Sequence, residues 1–275
     1  IVTTFDPHKS NKELAAELVE QFDDITHCCA NTVSAVRDSL LFRYGPPRRA
    51  PALTMAGKQK RVDWCQFHIQ QGTSFDSVVF SDESWFKLGP DNRWIWIKEG
   101  DYGPRVCAPT KKFVPKVMIW GAVGRNFKSD IVFFEENVTA SSYINALDQS
   151  SFFDNANKNF GEGQWLFQQD NARPHIAKQT LQDLKDRKVV LLENWPPNSP
   201  DLNIIELIWG IMKRRIDARG AKTLPELKHI IVEVWNELSF ETINKLIDSM
   251  EARLRLVIEK NGETIFSNEL ARISF

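Results

Sequence analysis

From residue 77 to residue 219 the chain alternates short apolar runs with longer amphipathic ones, and that rhythm limits the folds open to it more than any other feature. Residues 77–86, SVVFSDESWF, read as a strand whose apolar part ends at Asp82. The alternating RWIWIK of 93–98 follows a turn at Gly89-Pro90-Asp91-Asn92, as a half-buried strand does. Residues 116–124 and 130–139 predict two further strands of a sheet. Residues 141–160 predict a helix, 164–170 a strand, 174–188 a helix and 189–194 a strand. The loop PPNSPDLN (196–203) leads into a strong helix at 204–219, whose Ile205, Leu207, Ile208, Ile211, Met212 and Ile216 cover a broad face. Its Lys213, Arg214, Arg215 and Arg219 lie where the helix dipole favours cations. Two more helices are predicted, 224–238 with Thr223 and Glu226 as a capping box, and 240–260 ended by Asn261-Gly262. An antiparallel meander followed by alternating strand and helix predicts a mixed α/β sheet with helices on its faces.

The segment before residue 63 has a different texture. Residues 10–22 predict a helix with Ser10 and Glu13 as capping box and Leu14, Leu18, Val19 and Phe22 on one face. Residues 31–41 predict a second, with Asn31 as N-cap. Two short helices in tandem permit a helix-turn-helix or a generic helical pair. Between Ser39 and Val62 there is no acidic residue, while Arg43, Arg48, Arg49, Lys58, Lys60 and Arg61 are basic. Pro46, Pro47 and Pro51 keep that stretch extended, so it suits a phosphate-tracking arm or a solvated linker. The expected division is therefore 1–45 helical, 46–62 linker and 63–275 the main domain.

Composition excludes some classes. The 275 residues are 42% apolar with nine Trp and eighteen Phe, which supplies a sizeable core. A formal net charge of −1 gives no global attraction to nucleic acid. The four cysteines, Cys28, Cys29, Cys65 and Cys107, have no zinc-ligand spacing and read as reduced intracellular thiols. No apolar run approaches the roughly 18–20 residues of a membrane span, and no signal-peptide pattern is visible, so no membrane role is expected.

Three acidic residues stand where a mixed sheet places its chemistry. Asp82 and Asp170 end apolar strands, and Glu206 lies in the first turn of the 204–219 helix. Clustered carboxylates repel one another and resist desolvation unless a cation joins them. All-oxygen ligands suit Mg²⁺ or Mn²⁺, and two such ions would activate an attacking oxygen and stabilise a leaving one in phosphodiester displacement. The plainer alternative is that acidic residues at strand ends are ordinary surface groups.

Four motifs occur in order: FSDES (80–84), VMIWGAV (117–123), QQDNARPH (168–175) and NWPPNSPDLNIIELIWGIMKRRI (194–216). Together they resemble the catalytic core of Tc/mariner-superfamily transposases over about residues 60–260. The helical pair and basic linker resemble the second half of that family's bipartite DNA-binding region. The first helix-turn-helix of that region has no counterpart here, and the one present is itself expected to be cut short at Ile1. The resemblance implies a ribonuclease-H-like fold with Asp82, Asp170 and Glu206 as a DDE triad. It further implies strand cleavage at transposon ends, transfer into double-stranded target DNA at TA sites, a homodimer, and a nuclear location in a eukaryote. The chain departs from the family pattern in three places. It has 35 residues between Asp170 and Glu206 where 34 is commonest. It has Ile204 where a proline is usual, and KKFVPK (111–116) where relatives carry a glycine-rich strip. None removes a carboxylate. Two alternatives remain: a transposase-derived DNA-binding protein without cleavage, and a related nuclease of the same fold.

Around the triad, Asn171 would orient Asp170 or close the turn, Arg173 would hold a phosphate, and His175 would support Asp170 or assist proton transfer. Glu83 is expected on the opposite face of the strand from Asp82, in solvent or a salt bridge. Asp201 is expected to fix the loop before the 204–219 helix.

Overall fold

A computed structural model describes residues 11–21, 25, 27–39, 52–89, 114–266 and 269. The chain divides into two compact units, Ile1–Ala50 and Pro51–Phe275. In the first, α1 (Asn11–Gln21) and α2 (Ala30–Ser39) form a helical pair, with Ala15 and Val33 buried. Asn31 is not an N-cap, because the helix already begins at Ala30. Ser10, Phe22, Arg43, Arg48, Arg49 and the RWIWIK segment lie outside the described residues.

The second unit opens on a helix rather than an extended arm. Thr54 caps α3 (Met55–Gln70) by accepting from the Gly57 amide, so Lys58, Lys60 and Arg61 are helical and the expected linker ends well before residue 62. The acid-free sequence that suggested an arm is also compatible with a helix whose cations pair elsewhere in the chain.

Among the described residues six strands make one sheet: β1 (Val78–Lys87), β2 (Lys116–Gly124), β3 (Phe127–Lys128), β4 (Val132–Phe134), β5 (Leu166–Gln168) and β6 (Val190–Leu191). The order is β3-β2-β1-β5-β6, with β4 sharing β2's outer edge. β1 and β2 pair antiparallel, whereas β1–β5 and β5–β6 are parallel. The predicted mixed sheet is therefore present, with the strand expected at 130–139 reduced to 132–134.

Alternate residues of β1 serve opposite layers. Val78, Phe80 and Phe86 pack with α3, α7 (Ile204–Arg219), α8 (Leu224–Asn236), α9 (Phe240–Asp248) and α10 (Met250–Glu259). Val79 packs with Trp120 and Phe167 under α4 (Ala140–Gln149), α5 (Phe152–Phe160) and α6 (Lys178–Asp186). The helix expected at 141–160 is thus two, broken at Ser150-Ser151, and that expected at 240–260 is broken at Ser249. In both, a serine at the joint lets the chain redirect an apolar face that one straight helix could not keep on the sheet.

Two glycines permit close approaches. A Cβ on Gly121 would stand 3.0 Å from the Trp209 ring and 3.3 Å from that of Trp235, so its absence lets α7 and α8 settle on β2. Gly262 has φ +82, and a Cβ there would meet the Lys58 carbonyl oxygen at 2.3 Å, so the turn after α10 lies directly against α3.

Candidate active site

Strand register brings the first two carboxylates side by side. Phe80 of β1 pairs with Gln168 of β5 in parallel, so two residues further along each chain stand Asp82 and Asp170. Asp82 is not the end of its strand. β1 continues to Lys87 against β2, and only β5 stops, so Asp82 lies on a strand held on one side with its other edge opening onto the site. Glu206 joins from the first turn of α7, three residues before Trp209, whose ring enters the space beside Gly121, Asp82's partner across β2. All three carboxylates line one open cavity of about 480 Å³, with Asn171, Asn203 and the 195–200 loop forming other walls.

The electrostatics divide the three. Burial, then repulsion from Glu206 and Glu83, pushes Asp82 well above the ordinary carboxylate range. Burial also raises Glu206, against a hydrogen bond with Asp82 and the charge of Lys213. Asp170 behaves oppositely. Burial would raise it, but hydrogen bonds from His175 and the Ala172 amide (2.8 Å) hold it below the usual range.

His175 is almost fully buried at the end of the sheet. Its Nδ1 lies 2.7 Å from Asp170 Oδ1 and its Nε2 3.1 Å from Glu83 Oε1. Burial lowers its proton affinity, yet the two carboxylates outweigh burial and carry the pKa to about 10. Held as imidazolium, it fixes the orientation of Asp170 and neutralises Glu83 behind it. Glu83 therefore has the salt-bridge role expected for the face opposite Asp82. His175's ring lies over Tyr143, with centroids 4.1 Å apart, and its carbonyl accepts from Gln169. Asn171 Nδ2 donates 3.0 Å to the Trp195 carbonyl, tying the turn after Asp170 to the loop that leads to α7.

The expected DNA-contacting residues separate. Arg173 is exposed next to cavity-lining Ala172. Lys60 is exposed on α3, while Lys58 pairs with Glu263. Arg61 cannot touch DNA: it is fully buried, donating 2.8 and 2.6 Å bonds to both oxygens of Asp201. Its sequence neighbours gave no warning of this, because the partner lies 140 residues away. Asp201 also accepts from the Ile265 amide at 2.9 Å, and its carbonyl accepts from Arg253 at 3.0 Å. It fixes the loop before α7, as expected.

The donor set suits a hard divalent cation, since three carboxylates crowd one cavity and two of them are strained toward protonation by burial and mutual repulsion. Among the described residues no three His, Cys, Asp or Glu side chains yet converge at ligand distance. Asp82 and Glu206 meet each other, and Asp170 turns its Oδ1 to His175.

The model of the DDE superfamily endonucleases matches residues 77–228, more than half the chain. The Tc1 transposase of Caenorhabditis elegans is 31% identical over 221 residues, covering 78% of this chain and 80% of that protein. The chain belongs to the Tc/mariner DDE transposase family. The Tc3 transposase of the same worm is 35% identical over 225 residues, 79% of this chain, and the chain spans about two thirds (66%) of its length. Among solved structures, a Mos1 transposase paired-end complex with the left transposon end superposes with a TM-score of 0.79 at 17% identity, over 95% of this chain and 76% of that one. The Mos1 catalytic domain alone gives 0.62 at 14% identity, over 80% of this chain and all of that domain. The sheet and its flanking helices are thus the ribonuclease-H-like fold that the four motifs led us to expect. Among the described residues no helix is long and apolar enough to cross a membrane.

Proposed function

We propose that this transposase cleaves DNA at the ends of its element and joins the freed 3′-hydroxyl to target DNA, at TA dinucleotides. The observation that carries the reading is the meeting of Asp82, Asp170 and Glu206, from β1, β5 and α7, on one open cavity. These three would hold Mg²⁺ or Mn²⁺, two ions in our reading, which supply activation of the attacking oxygen and stabilisation of the leaving one. The chain's own contribution is placement. Neighbouring strands set the spacing of Asp82 and Asp170, and His175 holds Asp170 in one orientation. Lys213 lowers the proton affinity of Glu206, favouring the charged form a cation needs. Arg173, exposed beside the cavity, offers a phosphate contact, and Lys60 offers another on α3. A reaction on two transposon ends calls for two copies of the chain, and the Mos1 relative has been solved as a paired-end complex. A DNA substrate is in keeping with action in the nucleus where the host is eukaryotic.

The test is strand release from DNA carrying the terminal repeats, with Mg²⁺ or with chelator, followed by joining to a TA-containing target. Wild-type protein is expected to cleave and join only with metal, and Asp170→Asn to fall to background. Cleavage by Asp170→Asn would remove Asp170 from the triad. Binding without cleavage by the wild type would point to a DNA-binding derivative, and hydrolysis of RNA–DNA hybrid without joining to a nuclease.

A further inference from the structure

The residues just upstream of the three carboxylates are joined to each other. Ser81 precedes Asp82 by one residue, Gln168 precedes Asp170 by two, and Asn203 precedes Glu206 by three. Ser81 Oγ donates 2.9 Å to the Gln168 carbonyl, and the Ser81 amide donates 3.3 Å to Gln168 Oε1. On the other side, Asn203 Nδ2 donates 3.2 Å to the Ser81 carbonyl. All three side chains are more than nine-tenths buried. One short polar chain therefore crosses from β5 through β1 to the start of α7, immediately behind the cavity.

Asn203 is the informative member. It occupies the N-cap of α7 with φ −88 and ψ 111, the backbone geometry from which an Asn side chain normally accepts a helix amide. It makes no such bond. Its Oδ1 has no partner among the described residues, although the atom is buried. The side chain forgoes local capping and reaches across to β1. A residue selected only to stabilise α7 would cap it.

We propose that Asn203 is a positioning residue, which through Ser81 and Gln168 locks the first turn of α7 to β1 and β5 and so sets the spacing of Glu206 from Asp82 and Asp170. The proposal rests on the transposase reading above for its kinetic consequence, but not for its geometric one. The sheet fixes Asp82 and delivers Asp170 beside it, two residues past the end of β5, where His175 and the Ala172 amide hold it. Glu206 arrives on a helix through the 196–203 loop: Trp209 packs α7 onto Gly121 of β2, but apolar packing does not fix the rotation and height of the first turn as a hydrogen bond to the strand does. The Arg61–Asp201 pair anchors that loop at its back, and Asn203 is the bond that reaches the strand itself.

Two substitutions separate placement from stability. Asn203→Ala removes the tie and supplies no cap. Asn203→Ser supplies a good N-cap but is too short to reach the Ser81 carbonyl. We expect Asn203→Ser to unfold at a temperature equal to or above that of Asn203→Ala, and yet to lose about as much cleavage rate. A displacement of about 1 Å costs on the order of 100-fold in rate, with DNA affinity changed by less than about threefold. The activity-independent readout is a crystal structure of Asn203→Ser, in which the first turn of α7 should shift relative to Asp82. An unmoved Glu206, or a cleavage rate that simply follows melting temperature through the two variants, would overturn the proposal. If wild-type protein cleaves no DNA, the transposase reading fails by itself, and the crystal structures still decide whether Asn203 sets the spacing.

Discussion

Replacing Arg61 by Met tests whether the basic residues before Val62 serve DNA or the fold. The side chain of Arg61 is 0% exposed and that of its partner Asp201 6%. Met keeps most of the volume but removes two hydrogen bonds to the carboxylate and the donations to the Gly262 and Glu263 carbonyls. Asp201 is then left buried with the Ile265 amide as its remaining side-chain donor, since Arg253 reaches only its backbone carbonyl. Breaking one side of a buried pair costs about 3–5 kcal/mol. For a domain of this size each kcal/mol lowers the melting temperature by about 2–4 °C, so a fall of about 6–20 °C is expected. Urea unfolding followed by tryptophan fluorescence measures the free-energy loss, and thermal unfolding the shift. Adding Asp201→Leu should restore only part of the loss, because it removes the lone carboxylate but also the negative charge that faces buried Arg253. The second arm is DNA binding as a function of salt. A phosphate contact would contribute about one unit to the slope, and Arg61→Met should leave the slope unchanged. A loss below about 1 kcal/mol, the range of an exposed pair, or a slope reduced by one would refute the reasoning.

The remaining predictions concern the site and the core. Arg173→Ala should weaken DNA binding about evenly across sequences and reduce the salt slope by about one; an unchanged slope would remove it as a phosphate contact. Gly121→Ala should destabilise by about 1–3 kcal/mol through overpacking, because its Cβ would press on Trp209 and Trp235, and should also slow cleavage by lifting α7; a melting curve matching wild type would contradict the tight contact. His68 is held neutral, its pKa lowered by burial. Its unfolded form therefore takes up a proton first, so its stability contribution is complete above about pH 6.5 and declines as pH falls through the folded value. Replacing it with Gln should flatten the loss of stability between pH 7.5 and 5.5, and an equally steep variant would count against the assignment. His175 has the opposite sign. With its folded pKa raised to about 10, its contribution is complete below about pH 6.5 and fades as pH climbs toward 10, so metal-free wild type should lose more stability than His175→Gln over that climb.

Much was legible in the sequence because it is local. Strands 78–87 and 116–124 and the 204–219 helix follow from apolar spacing over a few residues, and the structure reproduces the last two residue for residue. Asp82, Asp170 and Glu206 could be singled out because each follows or opens such an element and carries a flanking motif. Where elements break is less local. The interruptions at Ser150 and Ser249 depend on which surface each helix half must cover, and no serine announces that by itself. Partnership is not local at all. Arg61 read as a surface cation among other cations until Asp201, 140 residues on, took it into the interior. Asn203 read as part of a loop until Ser81, 122 residues earlier, claimed its amide. The sequence by itself therefore determined the elements and the chemical kind of the site, since periodicity and residue type are properties of neighbours. Only the tertiary structure decided which charges are buried, which hydrogen bonds span the layers, and how Glu206 is held against the sheet, because those energies depend on desolvation and on distances that exist only once the chain has closed on itself.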